Sequence, residues 1–324
     1  MSLSVHFGYT PDDDARAYLQ QELDDTVRVS YGEDAPPEAR YQLLIAGRPS
    51  VALLEASTHL RHLLIPFAGL PAVTAERLRN YPHVSVHNLH HNAPPTAEMA
   101  LALLMAVARL LIPADRVFRQ HDWTPRYDPY PSVMLYGKTA LILGYGSIGE
   151  HLGTILKAIG MRVLGIRRRH HDAQQGIYPP DALHDLLPQA QVLIVALPGT
   201  PDTEGLIGER ELARLPQGAM VVNVGRASVI DQHALYQALR SEHLHGAGSD
   251  VWYHYPPDEA SRTHTPPADV PFHELDRMVM SPHRGGGGGN AEIERLRMSA
   301  IAQLLNQMAQ GGALPHRVDL DLGY

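Results

Sequence analysis

The segment TALILGYGSIGEHLGTILKAIGMRVLGIRRR, Thr139 to Arg169, constrains the fold more than any other part of the chain. Thr139 to Leu143 are apolar and β-prone. Gly144, Gly146 and Gly149 follow at G-x-G-x-x-G spacing, and Glu150 to Ile159 carry helical periodicity before a second β-prone run, Arg162 to Ile166. A strand, a glycine turn, a helix and a second strand form the unit that holds a dinucleotide. Gly144 permits the turn, Gly146 lets backbone approach a pyrophosphate, and Gly149 lets the helix pack close to the sheet with its N-terminus facing the anion. The turn residues expected at the cofactor are Gly144, Tyr145, Gly146, Ser147, Ile148 and Gly149.

Where the second strand ends, an acidic residue ordinarily takes the ribose hydroxyls of NAD; Arg167, Arg168 and Arg169 stand there instead. A carboxylate repels a 2'-phosphate, whereas guanidinium groups bind it through charge-assisted hydrogen bonds. The expected cofactor is NADP(H), with NAD(H) possible and a solvated strand end as the plainer reading of the triplet. His170 and His171 extend this basic edge.

At 324 residues with 44% hydrophobic content, the chain is long enough for two domains with separate cores. A formal charge of -8 with no basic stripe beyond the arginines gives no case for nucleic acid or an anionic membrane. With no cysteine, a disulfide, a thiolate metal site and a cysteine nucleophile are all excluded. The opening MSLSVHFGYT lacks a signal-peptide pattern and no apolar run reaches membrane-spanning length, so the expected location is the cytoplasm.

Before the glycine turn, strand candidates at 4–7, 27–29, 41–46, 63–67 and 84–87 alternate with helical runs at 13–23 and 74–80. The expected fold is α/β: two Rossmann-like or flavodoxin-like domains with parallel sheets and a cleft between them. The run from Thr96 to Leu111 reads as an apolar helix capped by Thr96, and the segment from Asp115 to Tyr136 as weakly structured, a possible arm on a partner subunit. A helix over 290–309 returns to the first domain. The expected division is 1–97 plus 287–324, binding substrate, and 98–286, binding the dinucleotide.

Further blocks, in order and spacing, resemble the D-isomer-specific 2-hydroxyacid dehydrogenase family along nearly the whole chain. They are LPGTPDT at 197–203, VVNVGRASVID at 221–231, GAGSDVW at 246–252 and MSPH at 280–283. The resemblance implies that Arg226 binds the substrate carboxylate and polarises its carbonyl, and that His283 is the acid/base. It also implies that Asp250 lies near the nicotinamide. Leu197, Pro198, Thr203, Val224, Gly225, Thr96 and Gly286 complete the cofactor contacts so implied. Ala68, Gly69 and Leu70 of PFAGLPAV match a loop whose backbone amides hold the carboxylate. Hydride transfer at a hydroxyl carbon requires a proton to move at oxygen. An imidazole with a reference pKa of about 6.5 suits that task beside a fixed guanidinium.

The chain departs from the family pattern at two places. Relatives usually carry glutamate five positions after the aspartate, followed by proline, to orient the histidine and raise its pKa. Here the position is Tyr255; formate dehydrogenases, which resemble the family, carry glutamine there. A tyrosine hydroxyl can bond the ring but brings no charge, so a lower His283 pKa is expected unless Glu259 or Glu274 reaches it. Arg284 replaces an apolar residue after His283 and could meet a second anionic group on substrate.

The expected reaction is NADP(H)-linked reduction of a small 2-ketoacid, glyoxylate-like or hydroxypyruvate-like, to the D-hydroxyacid. The rivals are a catalytically weak cofactor-binding regulatory protein and a formate or phosphite dehydrogenase. The resemblance implies a homodimer. The His87, His90 and His91 cluster reads as the strand end leading to the interdomain helix, and no metal is expected.

Overall fold

The computed structural model describes residues 2–287 and 289–323. They fall into two compact units, Met1–Asn92 with Gly289–Tyr324, and Ala93–Gly288.

The first unit carries β1 (Leu3–Phe7), α1 (Asp13–Glu22), β2 (Val27–Tyr31), β3 (Leu43–Ile45), α2 (Val51–Glu55), β4 (His62–Ile65), α3 (Ala72–Leu78) and β5 (Ser85–Asn88). Its five strands are all parallel, in the order β2-β1-β3-β4-β5. β3, with Leu43, Leu44 and Ile45 fully buried, is an unbroken apolar run because a central parallel strand is covered on both faces. Asp12 starts α1 by accepting the Ala15 N–H, with Asp13 and Asp14 in the first turn where negative charge is favoured.

The second unit begins with α4 (Ala93–Arg109), α5 (Leu111–Phe118) and α6 (Thr124–Tyr127). It continues through β6 (Thr139–Leu143), α7 (Ser147–Ala158), β7 (Arg162–Ile166), β8 (Ile177–Tyr178), α8 (Leu183–Leu186) and β9 (Val192–Val195). Then come α9 (Glu209–Arg214), β10 (Ala219–Asn223), α10 (Gln232–Arg240), β11 (Leu244–Ser249) and β12 (Met278–Met280). The seven strands are parallel, in the order β12-β11-β10-β9-β6-β7-β8. Alternate residues of β6 serve two cores: Ala140 and Ile142 pack with α4 and α7, Leu141 and Leu143 with α8, α9 and α10. The chain runs from β6 outward to β8, then crosses to β9 on the other side of β6. That reversal places the topological switch point, where doubly wound sheets bind ligands, at the carboxyl end of β6. After the second unit, α11 (Ala291–Ala309), capped by Asn290, returns to pack on α1.

Several boundaries differ from the sequence expectation. α4 starts at Ala93, so Thr96 is a buried residue inside the helix and not its cap; Pro94 and Pro95 sit in the first turn, where a missing N–H leaves no bond unmade. The compact units change over between 92 and 93 and between 288 and 289 along the chain. The stretch from Asp115 to Tyr136 is not uniformly irregular: the end of α5 and all of α6 lie in it. α7 begins at Ser147, within the glycine motif. Among the described residues no single helix is long and apolar enough to cross a membrane.

Candidate active site

The loops after β6, β9 and β10 meet around the glycine turn. Gly144 has φ +92°, and a Cβ there would lie 2.6 Å from the Ala196 carbonyl oxygen, so glycine is what lets the loop after β9 approach. At Gly149 a Cβ would meet the Gly144 carbonyl oxygen at 2.5 Å and Ile142 Cγ2 at 3.2 Å; α7 could not pack this close with any other residue. Gly146 is different, since no atom of the chain lies within 4 Å of its would-be Cβ. This exposed position, at the N-cap of α7, opens onto the free N–H groups of a helix start, a geometry that fits the pyrophosphate of a dinucleotide. Ser147 and Ile148 border the same opening, partly exposed. The Tyr145 side chain is directed away, buried against Gly153 and Gly165, which leaves only its backbone on the turn.

At the end of β7 the arginines are already engaged. Arg167 donates to Glu150 in the first turn of α7, and Arg168 to Asp202 in the loop after β9, each at 2.9 Å; Arg169 is exposed. The β9 loop is shaped by Thr203, whose hydroxyl donates to the Pro198 carbonyl at 2.7 Å and accepts the Thr200 N–H at 2.9 Å. Leu197 is partly buried beside it.

Arg226 follows β10 on a loop clamped by the buried Asn223. The Asn223 amide donates to the Arg226 carbonyl at 3.0 Å, and its oxygen accepts the Gly225 N–H at 3.1 Å. Val224 and Gly225 are buried beneath it, while the Arg226 side chain is exposed. Its guanidinium lies near enough to His283 and Tyr255 to act electrostatically on both.

His283 sits after β12 with φ +57°, a left-handed conformation that costs energy in any residue with a Cβ. Asp250 holds the loop in this shape. Its buried carboxylate accepts the Ser281 hydroxyl at 2.5 Å and the Arg284 and Gly285 N–H groups at 2.8 Å each. Trp252 adds a further tie by donating its indole N–H to the Ser281 carbonyl at 2.7 Å. The Arg284 side chain is exposed, and Gly286 is partly buried.

The Tyr255 hydroxyl lies 2.8 Å from His283 Nδ1 and accepts the Trp252 backbone N–H at 3.1 Å. A hydroxyl that already accepts one backbone donor can still donate to an unprotonated Nδ1 or accept from a protonated one, so it orients the ring in either tautomer and leaves Nε2 for the reacting proton. Glu259 pairs with Arg262 and supplies no carboxylate to the ring. The His283 residue is exposed by area, yet the protein around the ring desolvates it and pushes its pKa below the ordinary value. The Arg226 cation pushes the same way, and the Asp250 carboxylate pulls upward. Burial raises the Tyr255 pKa, so the phenol stays protonated.

In the first unit, Ala68, Gly69 and Leu70 follow β4 on a partly exposed loop, anchored where Asn88 donates to the Ala68 carbonyl at 2.8 Å. His87 bonds the Pro315 carbonyl at 2.7 Å, His90 packs edge-on to His316 at 4.5 Å, and burial lowers His90 and His91 to pKa values of about 4. Among the described residues no group of three or more His, Cys, Asp or Glu side chains is arranged to hold a metal ion.

Motif reasoning did not single out Asn223, Ser281 or Trp252, although each lies in a quoted block; Asn223 acts on its near neighbours Gly225 and Arg226, whereas Ser281 and Trp252 act through bonds across about thirty positions.

Residues 101–285 match the family model described as the D-isomer specific 2-hydroxyacid dehydrogenase, NAD binding domain. A glyoxylate reductase of Korarchaeum cryptofilum is 34% identical over 235 residues, covering 70% of this chain and 66% of the relative. A D-3-phosphoglycerate dehydrogenase of Mycobacterium leprae is 31% identical over 294 residues, covering 89% of this chain and 53% of the relative. The matches thus span about two-thirds of one relative's length and about half of the other's. The fold is shared with a D-isomer specific 2-hydroxyacid dehydrogenase from Xanthobacter autotrophicus, at TM-score 0.78 and 24% identity over 100% of both chains.

Proposed function

This chain belongs to the D-isomer-specific 2-hydroxyacid dehydrogenase family, and from that premise we propose that it reduces a small 2-ketoacid, of the glyoxylate or hydroxypyruvate kind, with NADPH. The observation that carries this reading is the convergence on His283 of a hydroxyl partner, Tyr255, and a nearby guanidinium, Arg226, in the unit that bears the glycine turn. The nicotinamide cofactor, when bound, supplies the hydride. Gly144 to Gly149 would hold its pyrophosphate, with Leu197, Pro198, Thr203, Val224, Gly225, Thr96 and Gly286 bordering it. Arg167, Arg168 and Arg169 would meet the 2'-phosphate that distinguishes NADP(H) from NAD(H).

Arg226 binds the substrate carboxylate and stabilises charge developing on the carbonyl oxygen. In this proposal the first unit is the substrate-binding domain, with the Ala68, Gly69 and Leu70 amides as its candidate carboxylate donors, and Arg284 would meet a second anionic group on substrate. Protonated His283 delivers its Nε2 proton to that oxygen as the hydride arrives at carbon, and Tyr255 holds the ring in place through Nδ1. The test is oxidation of NADPH and of NADH against a panel of 2-ketoacids. Turnover with glyoxylate or hydroxypyruvate and preference for NADPH are expected; cofactor binding without turnover across the panel rejects the enzyme reading.

Two further parts of the proposal are a homodimer and a cytoplasmic location. The dimer reading rests on the exposed apolar side chains Leu111, Ile112, Phe118, Trp123 and Tyr127 on and after α5, where Phe118 and Trp123 pack edge to face at 4.8 Å.

A further inference from the structure

β7 and β9 flank β6 in the sheet, so the ion pair from Arg168 after β7 to Asp202 after β9 straddles the carboxyl end of β6, above the glycine turn. Its two ends come from residues 34 apart in sequence. The Asp202 end is not a loose tether, because Thr203 fixes the turn that carries it through the bonds to Pro198 and Thr200. A carboxylate therefore stands at the place where the basic edge faces the adenosine half of a dinucleotide. Its effect on the two possible cofactors is opposite in sign. Toward a 2'-phosphate it is a like charge and a competitor for the Arg168 guanidinium; toward a ribose 2'-hydroxyl it is an acceptor.

We propose that Asp202 is a specificity-determining residue of the cofactor site, whose carboxylate holds Arg168 and opposes a 2'-phosphate, so that it tempers the discrimination the arginines provide. The inference rests on the reading of residues 167–169 as the adenosine-ribose site. It does not require that NADP(H) win over NAD(H) in the native chain.

The test compares wild type, Asp202→Asn, Arg168→Ala and the double variant by calorimetric binding of 5'-AMP and adenosine 2',5'-bisphosphate. These ligands differ only in the 2'-phosphate, and the readout is the ratio of their dissociation constants. Asp202 is 70% exposed, so its replacement by asparagine is compatible with folding. Asp202→Asn should raise the preference for the bisphosphate about threefold, the size of effect that solvent-exposed charges exert. In the Arg168→Ala background the same substitution should have less than half of that effect. A ratio unchanged by Asp202→Asn, or raised equally with and without Arg168, overturns the proposal. If wild type prefers 5'-AMP while Asp202→Asn still shifts the ratio as described, the NADP(H) reading fails and the role of Asp202 stands. Where the fragments bind too weakly to titrate, intact NADPH and NADH serve in their place with the same arms.

Discussion

The Tyr255 hydroxyl stands 2.8 Å from Nδ1 of His283 and simultaneously accepts the Trp252 N–H, so the imidazole is oriented by a neutral group held in place by backbone. The same oxygen can donate to a neutral ring and accept from a protonated one. Orientation is thereby kept in both protonation states, but neither is favoured by charge at this position. Burial then dominates and, with a smaller push from Arg226, outweighs the upward pull of Asp250 to hold the imidazole pKa below its ordinary value.

The pH dependence follows from that sign. On the proposed mechanism, ketoacid reduction uses protonated His283, whose population falls as pH rises through a pKa already depressed, so kcat/KM for reduction should decline from below the ordinary histidine range. Oxidation of the hydroxyacid uses the neutral ring and should persist to lower pH. Tyr255→Glu brings a carboxylate to the ring and should move the reduction limb to higher pH. Rate profiles of wild type and Tyr255→Glu over about pH 4 to 9 check this, and coincident limbs refute it.

On the proposed mechanism, Arg226 carries the charge that the reacting oxygen needs. Replacing it by glutamine should lower kcat for ketoacid reduction by about 10²- to 10³-fold, the usual cost of losing a donor at a developing oxyanion. Far-ultraviolet dichroism should be unchanged, because the side chain is exposed. Steady-state kinetics on the folded variant decide it.

Asp250 binds three donors on the His283 loop, and asparagine would turn an amide N–H₂ toward some of them. Asp250→Asn should cost about 1–3 kcal/mol of stability, as an unmatched buried polar group does. It should also shift the reduction limb further down in pH, since the Asp250 charge is what raises the imidazole pKa. Thermal unfolding reads the first effect and the pH profile the second.

Gly149→Ala tests the close approach of α7 to the sheet. With 2.5 Å between the added carbon and the Gly144 carbonyl oxygen, the helix must shift, at about 1–3 kcal/mol. The melting temperature and the affinity for 5'-AMP should fall together. A variant as stable as wild type would show that the turn has room to move.

Substituting Phe118 and Trp123 together by serine should convert a dimer to monomer in sedimentation equilibrium. A dimer that survives the change places its interface elsewhere.

The sequence was most legible where glycine and β-prone runs punctuate each other: β6 and β7 begin and end at the residues their composition marks. It was least legible around proline. Pro94 and Pro95 in α4, Pro113 in α5 and Pro125 in α6 all lie in the first turn of a helix, where proline breaks nothing, yet each reads locally as a stop. At the site, Arg226, Asp250 and His283 stand in recognisable blocks, with Tyr255 three positions beyond one of them, and all four come to lie on neighbouring loops of one sheet. What holds them there was hidden. The grip of Asp250 on residues 281–285 and that of Trp252 on Ser281 join positions about thirty apart, and local patterning contains no trace of such pairs. Nor did the arginine triplet announce that Glu150 and Asp202 would occupy two of its members.

The neutral phenol beside His283 also changes how an anion is drawn toward this surface. With no carboxylate at that position, the positive potential of Arg226 and Arg284 is offset among the residues around His283 by the buried Asp250 and not by a second acid. Capture of a small anionic ketoacid should therefore gain speed from long-range attraction and lose it as salt is added, a kinetic benefit bought with weaker basicity at the proton-transfer step.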